Sequence, residues 1–302
     1  MRLVRRFDPW KGPLCTCPPK YSLHPYTGCS HRCLYCYATS YIRKFKSTPK
    51  KDFIQTLERE IKRIDPRLPI NLSTSSDPYP PEEKTYQITR QAIEILTDHG
   101  FKILITTKGT LFMRDLDILS RSKAAIMVTI TSLDNDLGKI LEPGAPLYSE
   151  RIRAIKEAIN HNIPVGIRID PIIPYINDDI EIVKELMQIL ANIGVKHIVT
   201  STYKARPDSF SRLVLAFPEL EPKLRLKYFK EGIIIGGYRY LSLSDRKKLL
   251  DPILREAKKL GITYATCREG FGLGALSCDG SHLIKNPHTP KLNNARRTEY
   301  TI

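Results

Sequence analysis

Three of the seven cysteines of this 302-residue chain stand within one short stretch, HPYTGCSHRCLYCYA. Cys29, Cys33 and Cys36 have the spacing C-x3-C-x2-C, and Tyr35 precedes the last of them. Thiolates are soft ligands that suit zinc or iron–sulfur clusters. A structural zinc site needs four ligands, and His31 is the nearest fourth, at a spacing that zinc fingers do not use. Three cysteines on a four-iron cluster instead leave one iron open to a substrate or cofactor.

The other four cysteines form two pairs that are about 250 residues apart. Cys15 and Cys17 have the spacing C-x-C, whereas Cys267 and Cys278 have the spacing C-x10-C. Four thiolates are the number for a structural zinc or for an auxiliary iron–sulfur cluster, with His282 as a possible substitute ligand. Such a second site requires that the C-terminal segment returns to the N-terminal one. The alternatives are four unrelated thiols, or Cys267 or Cys278 as a catalytic hydrogen-atom donor.

Repeated strand and helix patterns from residue 50 onward are the elements that must position these cysteines. Apolar runs such as FKILITTKG alternate with helical periodicity, as in EEKTYQITRQAIEILTDHG, which reads as one helix closed by Gly100. Five such units, with a first strand near the cysteines, predict a parallel sheet wrapped by helices. Polar residues end strand after strand, in STSSD, TTKG, TITSLD, RIDP and TSTYK. In a β/α barrel these ends surround the ligand site.

Several of these motifs together resemble one enzyme family. The C-x3-C-x-aromatic-C stretch, STSSDPYPPEE, EPGAP and RIDPIIP are similar to radical S-adenosylmethionine (SAM) enzymes of the branch around spore photoproduct lyase. The resemblance implies an α/β fold, a partial (β/α)6 TIM-like barrel with a loop-rich and helical C-terminal extension. It divides the chain into an N-terminal segment (1–22) that packs on the barrel, the radical SAM core (23–205) and the extension (206–302).

The resemblance also implies the chemistry. Cys29, Cys33 and Cys36 would hold a [4Fe–4S] cluster that cleaves S-adenosyl-L-methionine to a 5′-deoxyadenosyl radical, with electrons from a donor such as ferredoxin or flavodoxin. The positions that it assigns to the cofactor or substrate are Tyr35, Ser75, Ser76, Asp77, Thr129, Thr131, Ser132, Arg168 and Asp170. Lys108 follows another strand and could reach a carboxylate or phosphate.

The sequence departs from spore photoproduct lyase in one respect. That enzyme uses a cysteine of its methionine-binding loop to complete the radical step, whereas residues 73–76 here are Ser-Thr-Ser-Ser. A serine O–H bond is too strong to replace the thiol as a hydrogen-atom donor. The generation of a radical therefore transfers to this chain, but the repair of the spore photoproduct does not.

The charge of the chain favours a polyanionic partner. Lys and Arg number 48 against 32 Asp and Glu, a formal net charge of +16. Cations that bind phosphates release counterions, so we expect nucleic acid, either tRNA for modification or DNA for repair. Candidate contacts, by composition alone, are Arg43, Lys44, Lys46, Lys204, Arg206, Arg296 and Arg297.

Two other functions stay open at this stage. The radical could act on a protein side chain or a small metabolite, or the chain could be a non-catalytic, metal-stabilised nucleic-acid-binding protein. No apolar run reaches the roughly 18 residues of a membrane helix, and the N-terminus does not resemble a secretory signal. We therefore expect a cytoplasmic protein.

Overall fold

A curved sheet organises the fold in the computed structural model, which describes residues 2–7 and 12–284. The strands are β1 (Arg5–Arg6), β2 (Tyr21–Leu23), β3 (Tyr26–Thr27), β4 (Thr48–Pro49), β5 (Ile70–Leu72), β6 (Ile103–Thr107), β7 (Ala124–Thr129), β8 (Val165–Ile172), β9 (His197–Thr202), β10 (Ile233–Ile235), β11 (Tyr238–Tyr240), β12 (Thr263–Thr266) and β13 (Leu273–Gly274). Two small antiparallel sheets of two strands each, β3–β4 and β10–β11, lie outside the large sheet.

Helices connect the strands of the sheet. They are α1 (Thr39–Ile42), α2 (Phe53–Ile61), α3 (Glu83–Tyr86), α4 (Ile88–Asp98), α5 (Leu116–Leu119), α6 (Asn135–Leu141), α7 (Tyr148–Asn160), α8 (Ile180–Ile193), α9 (Pro207–Ala216), α10 (Glu221–Arg225) and α11 (Leu243–Lys259). Short 3₁₀ turns span Leu111–Asp115, Pro218–Leu220 and Ser281–Leu283, and a π-helical turn spans Leu226–Lys230. Within the described ranges, no helix is both long and apolar enough to cross a membrane.

The large sheet is an open barrel. Its order is β1-β2-β5-β6-β7-β8-β9-β12-β13, in which every neighbour pair from β2 to β12 is parallel and each outer strand is antiparallel. No pairing in the described part of the chain joins the two ends of this order. The expected partial barrel is thereby confirmed, with β12 of the C-terminal part as a seventh parallel strand that the sequence did not assign. The domain boundaries stay predictions.

The two faces of the sheet carry alternate residues of each strand. In β6, Ile103 and Ile105 belong to the main core, whereas Leu104 belongs to a smaller cluster on the other face. That cluster includes Met127 and packs against the segment 281–284. Gly280, with φ +83°, lies so close that an added Cβ would stand 2.3 Å from Met127 Sδ. The C-terminal segment therefore fills part of the barrel interior, which requires glycine there.

One predicted helix is two helices in the structure. The pattern from residue 82 to 100 predicts a single helix, but Gln87 has φ +52° and separates α3 from α4. The buried Glu83 carboxylate accepts hydrogen bonds from the backbone N–H groups of Thr89 (3.0 Å) and Arg90 (3.2 Å). A side chain of α3 thus satisfies donors at the start of α4, which stabilises the break.

Candidate active site

The carboxyl ends of the parallel strands open into one cavity of about 260 Å³. Its lining includes the three cysteines after β2, residues 73–77 after β5, Lys108 after β6, Thr129 of β7, Arg168 and Asp170 of β8, and residues 201–204 at and after the end of β9. The cysteine loop, STSSD and RIDP therefore open on the same face, as the strand-end pattern predicted.

The cysteine loop is held by a neighbouring segment. Gly144 of EPGAP donates its N–H to His31 O (2.9 Å), and an added Cβ at Gly144 would stand 2.0 Å from Ser30 O. Behind the loop, Arg212 donates to Cys36 O at 2.9 Å. Burial raises the pKa of the thiols of Cys33 and Cys36, a cost that a bound metal offsets because metal binding deprotonates thiols.

Asp77 anchors its loop to the next strand. Its carboxylate accepts hydrogen bonds from Thr107 Oγ1 (2.6 Å), the Lys108 N–H (2.8 Å) and the Tyr79 N–H (2.9 Å). His31 Nδ1 lies 3.3 Å from it. Burial acts to raise the pKa of Asp77, but the charge of His31 and these hydrogen bonds lower it to about 2. The predicted cofactor contact is thus, in this structure, a carboxylate that joins the loop to the cysteine segment.

Tyr35 belongs to a buried ionic network behind the cysteines. Its hydroxyl donates to Glu142, which pairs with Arg151 at 2.5 Å (Nη2–Oε2). Arg151 also donates to the backbone O of Thr129 (2.9 Å) and to that of Pro146 (2.9 Å). The predicted aromatic position is therefore tied to the end of β7.

Lys108 lies over the outer face of the same tyrosine. Its Nζ stands 5.5 Å from the centroid of the Tyr35 ring, and it lines the cavity. Burial acts to lower the pKa of Lys108, but the charges of Cys33 and Glu142 raise it above its usual value. A cation at this position faces the cysteine loop rather than bulk solvent.

Two predicted residues lie outside the cavity lining. Thr131 and Ser132 are buried, and they follow the last residue of β7. Thr131 Oγ1 is 2.6 Å from the Tyr148 hydroxyl, and Ser132 Oγ accepts the Asp134 N–H at 3.1 Å. The structure brings Thr129 to the cavity but turns these two hydroxyls into local hydrogen bonds. Their predicted part in cofactor binding has no support from this geometry.

The strands β8 and β9 supply a charged wall. Arg168 forms an ion pair with Asp170, which also accepts a hydrogen bond from the Ser201 hydroxyl. Lys204, which the sequence offered as a phosphate contact, is buried and pairs with Glu269 Oε1 at 3.0 Å. Glu269, which sequence reasoning missed, accepts from Thr202 as well, so Lys204 is part of the wall rather than of an exposed basic surface.

All four outlying cysteines lie beside this wall. Cys15, Cys17 and Cys267 line the cavity, and Cys278 Sγ lies 3.6 Å from Cys17 Sγ. Interactions with the thiols of Cys15 and Cys278 lower the pKa of the Cys17 thiol. The pairs that are 250 residues apart in sequence are thus brought together. In the part of the chain that the structure describes, neither this group nor the first one stands in preformed coordination geometry.

Aromatic and cationic side chains lie next to the cavity, and of these the sequence singled out only Arg206. The rings of Tyr37 and Tyr238 meet edge to face, with centroids 5.3 Å apart. The Arg268 guanidinium stands 4.4 Å from the Tyr238 ring, and that of Arg206 stands 5.0 Å from it. Tyr37 and Arg268 also line the cavity. Arg43, Lys44 and Lys46 are exposed as expected, whereas Arg296 and Arg297 lie outside the described residues.

Comparisons with known proteins agree with this architecture. Residues 23–188 match the family model of the Radical SAM superfamily. An uncharacterised protein of Methanocaldococcus jannaschii is 31% identical over 248 residues, which cover 80% of this chain and 88% of that protein. The radical SAM Nalpha-GlyT isomerase of Pseudomonas phage M6 is 26% identical over 258 residues, which cover 81% of this chain and 53% of the isomerase.

A solved structure shares the fold. A mutant of spore photoproduct lyase with bound AdoMet and dinucleoside spore photoproduct has a TM-score of 0.65 at 18% identity, and the match covers 85% of this chain and 79% of the other. The superfamily implies a [4Fe–4S] cluster and SAM, and three thiols on one loop at the rim of a cavity are a donor set that fits such a cluster. From the family match and the shared fold together, the chain is an enzyme that belongs to the Radical SAM superfamily.

Proposed function

We propose that the protein generates a 5′-deoxyadenosyl radical and uses it to modify or repair a nucleotide of a nucleic acid. A reduced [4Fe–4S] cluster on Cys29, Cys33 and Cys36 would supply the electron that cleaves SAM. The observation that carries the proposal is the shared cavity of the cysteine loop and the Ser/Thr-rich loop. We also propose a cytoplasmic location and a ferredoxin or flavodoxin as the electron donor.

Protein groups around the cavity suit the two ends of SAM. Thr74, Ser75 and Ser76 line the side next to the cysteines, where hydroxyls and backbone groups can bind the polar methionyl end. Asp77 keeps this loop in place through its bonds to β6. Thr129 also lines the cavity and would contact the ribose or the sulfonium of SAM. Arg168 and Asp170, on the opposite wall, would contact the adenosyl end or the substrate.

The cluster of tyrosines and arginines next to the cavity favours a nucleic-acid substrate. Tyr37, which lines the cavity, offers a ring on which an unstacked base can lie. Arg206 and Arg268, which pack against the buried Tyr238 ring, offer charge for the phosphates beside that base. A target base has to leave its stack to reach a radical inside a barrel. The dinucleoside in the related lyase structure supports this choice. Because residues 73–76 contain no thiol, we do not propose the spore photoproduct as the substrate.

A binding experiment tests the substrate class. Fluorescence anisotropy would compare single-stranded DNA, duplex DNA and tRNA with the wild type, Arg268→Ala and Arg63→Ala. Arg63 is exposed and lies outside the cavity lining, so its variant removes the same charge elsewhere. We expect Arg268→Ala to weaken binding about tenfold, as loss of a stacked, phosphate-binding cation would. Equal affinities of the two variants would contradict the proposed substrate site.

Deuterium transfer tests the reaction itself. Bulk tRNA and genomic DNA from cells grown in heavy water would be incubated separately with the reduced enzyme and SAM. Deuterium in 5′-deoxyadenosine from one of them, and none from deuterated peptides, is the expected result. If 5′-deoxyadenosine gains deuterium only from peptides or small metabolites, the substrate is instead a protein side chain or a metabolite.

A further inference from the structure

The two edges of the open barrel meet through side chains rather than through strand pairing. Strands β2 and β12 are the first and the last of the parallel series. Cys17 precedes β2 by three residues, and Cys267 follows β12 directly. Cys278 lies on the segment that fills the barrel interior. The outlying cysteines therefore stand at the seam where a closed barrel would have one more row of backbone hydrogen bonds.

Contacts across this seam are short and buried. Cys17 Sγ and Cys278 Sγ are 3.6 Å apart, and Cys15 stands two residues before Cys17 on the same segment. Cys267 lines the same cavity as Cys15 and Cys17. Next to them, Lys20 forms a buried ion pair with Asp279, again between the N-terminal and the C-terminal segments. Soft donors from two distant parts of the chain thus lie in one region of the fold, although among the described residues they do not stand in preformed coordination geometry.

The sulfur–sulfur distance indicates which group these thiols suit. A disulfide would bring two sulfurs to about 2.0 Å, far closer than the 3.6 Å between Cys17 and Cys278. Two thiolates on one tetrahedral zinc, at Zn–S of about 2.3 Å, stand about 3.8 Å apart. In a four-iron cluster each thiolate binds a different iron, so the sulfurs are farther apart than on one ion. The observed distance matches a single tetrahedral ion.

We propose that Cys15, Cys17, Cys267 and Cys278 form a tetrathiolate zinc site that closes the seam of the barrel. The zinc site would be structural, because four thiolates leave no open position for a substrate. The proposal goes beyond the radical chemistry and does not depend on it, since the site lies on different residues. It also replaces the alternative that Cys267 or Cys278 donates a hydrogen atom.

Closure of this seam would shape the active-site cavity. Cys267 lines the cavity together with Arg168 of the charged wall. Arg268, which stands over the Tyr238 ring, is the next residue in the chain. A zinc ion that fixes Cys267 would therefore fix the wall and the arginine next to it, while Cys15 and Cys17 hold the opposite edge of the sheet.

Metal content of the purified protein tests the proposal. The protein would be produced anaerobically in medium with both iron and zinc, and metals would be measured per chain by mass spectrometry. We expect about one zinc and about four irons in the wild type. Cys17→Ser should lose the zinc and keep the iron, whereas Cys33→Ser should lose the iron and keep the zinc. Because each variant should lose one metal and keep the other, general unfolding cannot explain the loss.

Zinc-edge X-ray absorption of the wild type gives a second readout that needs no variant. Four sulfur neighbours at about 2.3 Å would support the tetrathiolate site. Zinc with nitrogen or oxygen neighbours, or zinc that remains in Cys17→Ser, would overturn it. About eight irons and no zinc would also overturn it, in favour of an auxiliary iron–sulfur cluster on the same cysteines. None of these outcomes depends on cleavage of SAM, so the proposed function stands or fails separately.

Discussion

At the scale of single residues, the support of the cysteine loop rests on one buried charge network. Arg151 is the cation that pairs with Glu142, and both side chains are almost completely buried. Arg151→Met keeps most of the volume but leaves the Glu142 charge unpaired, so the free energy of unfolding should fall by about 3–5 kcal/mol. Arg153→Met, on the exposed face of the same helix, is the matched control and should change stability little. Urea unfolding measures the stability of both variants. Equal stability of Arg151→Met and Arg153→Met would contradict the stabilising role of the network.

The sequence predicted which residues lie near the cavity better than it predicted what each contacts. Strand ends and motif order were enough to place Ser75, Thr129 and Arg168 in its lining. Asp77 lines the cavity as well, but the sequence could not predict its hydrogen bond to Thr107, because only the fold brings that strand within reach. For a related reason the sequence could not predict that the Thr131 hydroxyl contacts Tyr148, since that residue follows the end of the strand.

At the scale of elements, length and composition separated the predictable strands from the missed one. The apolar runs of β6 to β9 are long enough to read directly. Strand β12 has four residues, of which Thr263 is exposed and Tyr264 half-buried, and a Gly- and Cys-rich segment follows it. Its pairing with β9 depends on a partner more than 60 residues away. The sequence of such a strand shows no clear strand pattern, because its conformation depends on pairing with the rest of the sheet.

The pairing of β9 with β12 makes a prediction about acid stability. His197 of β9 is buried and lies 3.0 Å from Thr263 Oγ1 of β12 (Nδ1–Oγ1). Burial lowers the pKa of His197 to about 3, from about 6.5 in an unfolded chain. The unfolded state therefore binds the proton more tightly. The stability contributed by neutral His197 is complete above about pH 6.5 and is lost as the pH falls from there towards 3.

Replacement of this histidine tests that prediction. We expect the unfolding free energy of His197→Gln to fall less between pH 7 and pH 5 than that of the wild type, by up to about 1.4 kcal/mol per pH unit. His99→Gln, at an exposed histidine, is the control and should retain the wild-type slope. His24, whose pKa burial also lowers to about 3, should keep part of the slope in both variants. If the unfolding free energies of all three proteins fall equally with decreasing pH, the proposed contribution of His197 to acid stability is wrong.

At the scale of the whole molecule, the net charge of +16 should make nucleic-acid binding depend on salt. If about six phosphates are contacted, the affinity should fall by about 10³-fold between 50 and 200 mM salt. Titrations of fluorescent DNA and tRNA across that range give the slope directly. A flat dependence would mean that the positive charge serves another purpose, and it would favour a protein or metabolite substrate.

The central claim is that the cysteine loop supports reductive cleavage of SAM, and one measurement tests it most directly. Anaerobically reconstituted protein, shown to hold about four irons at the loop, would be incubated with dithionite and SAM beside a Cys36→Ala control. We predict 5′-deoxyadenosine from the wild type alone, in an amount that rises when the correct nucleic acid is added. No 5′-deoxyadenosine from iron-loaded wild type, with or without nucleic acid, would contradict the account.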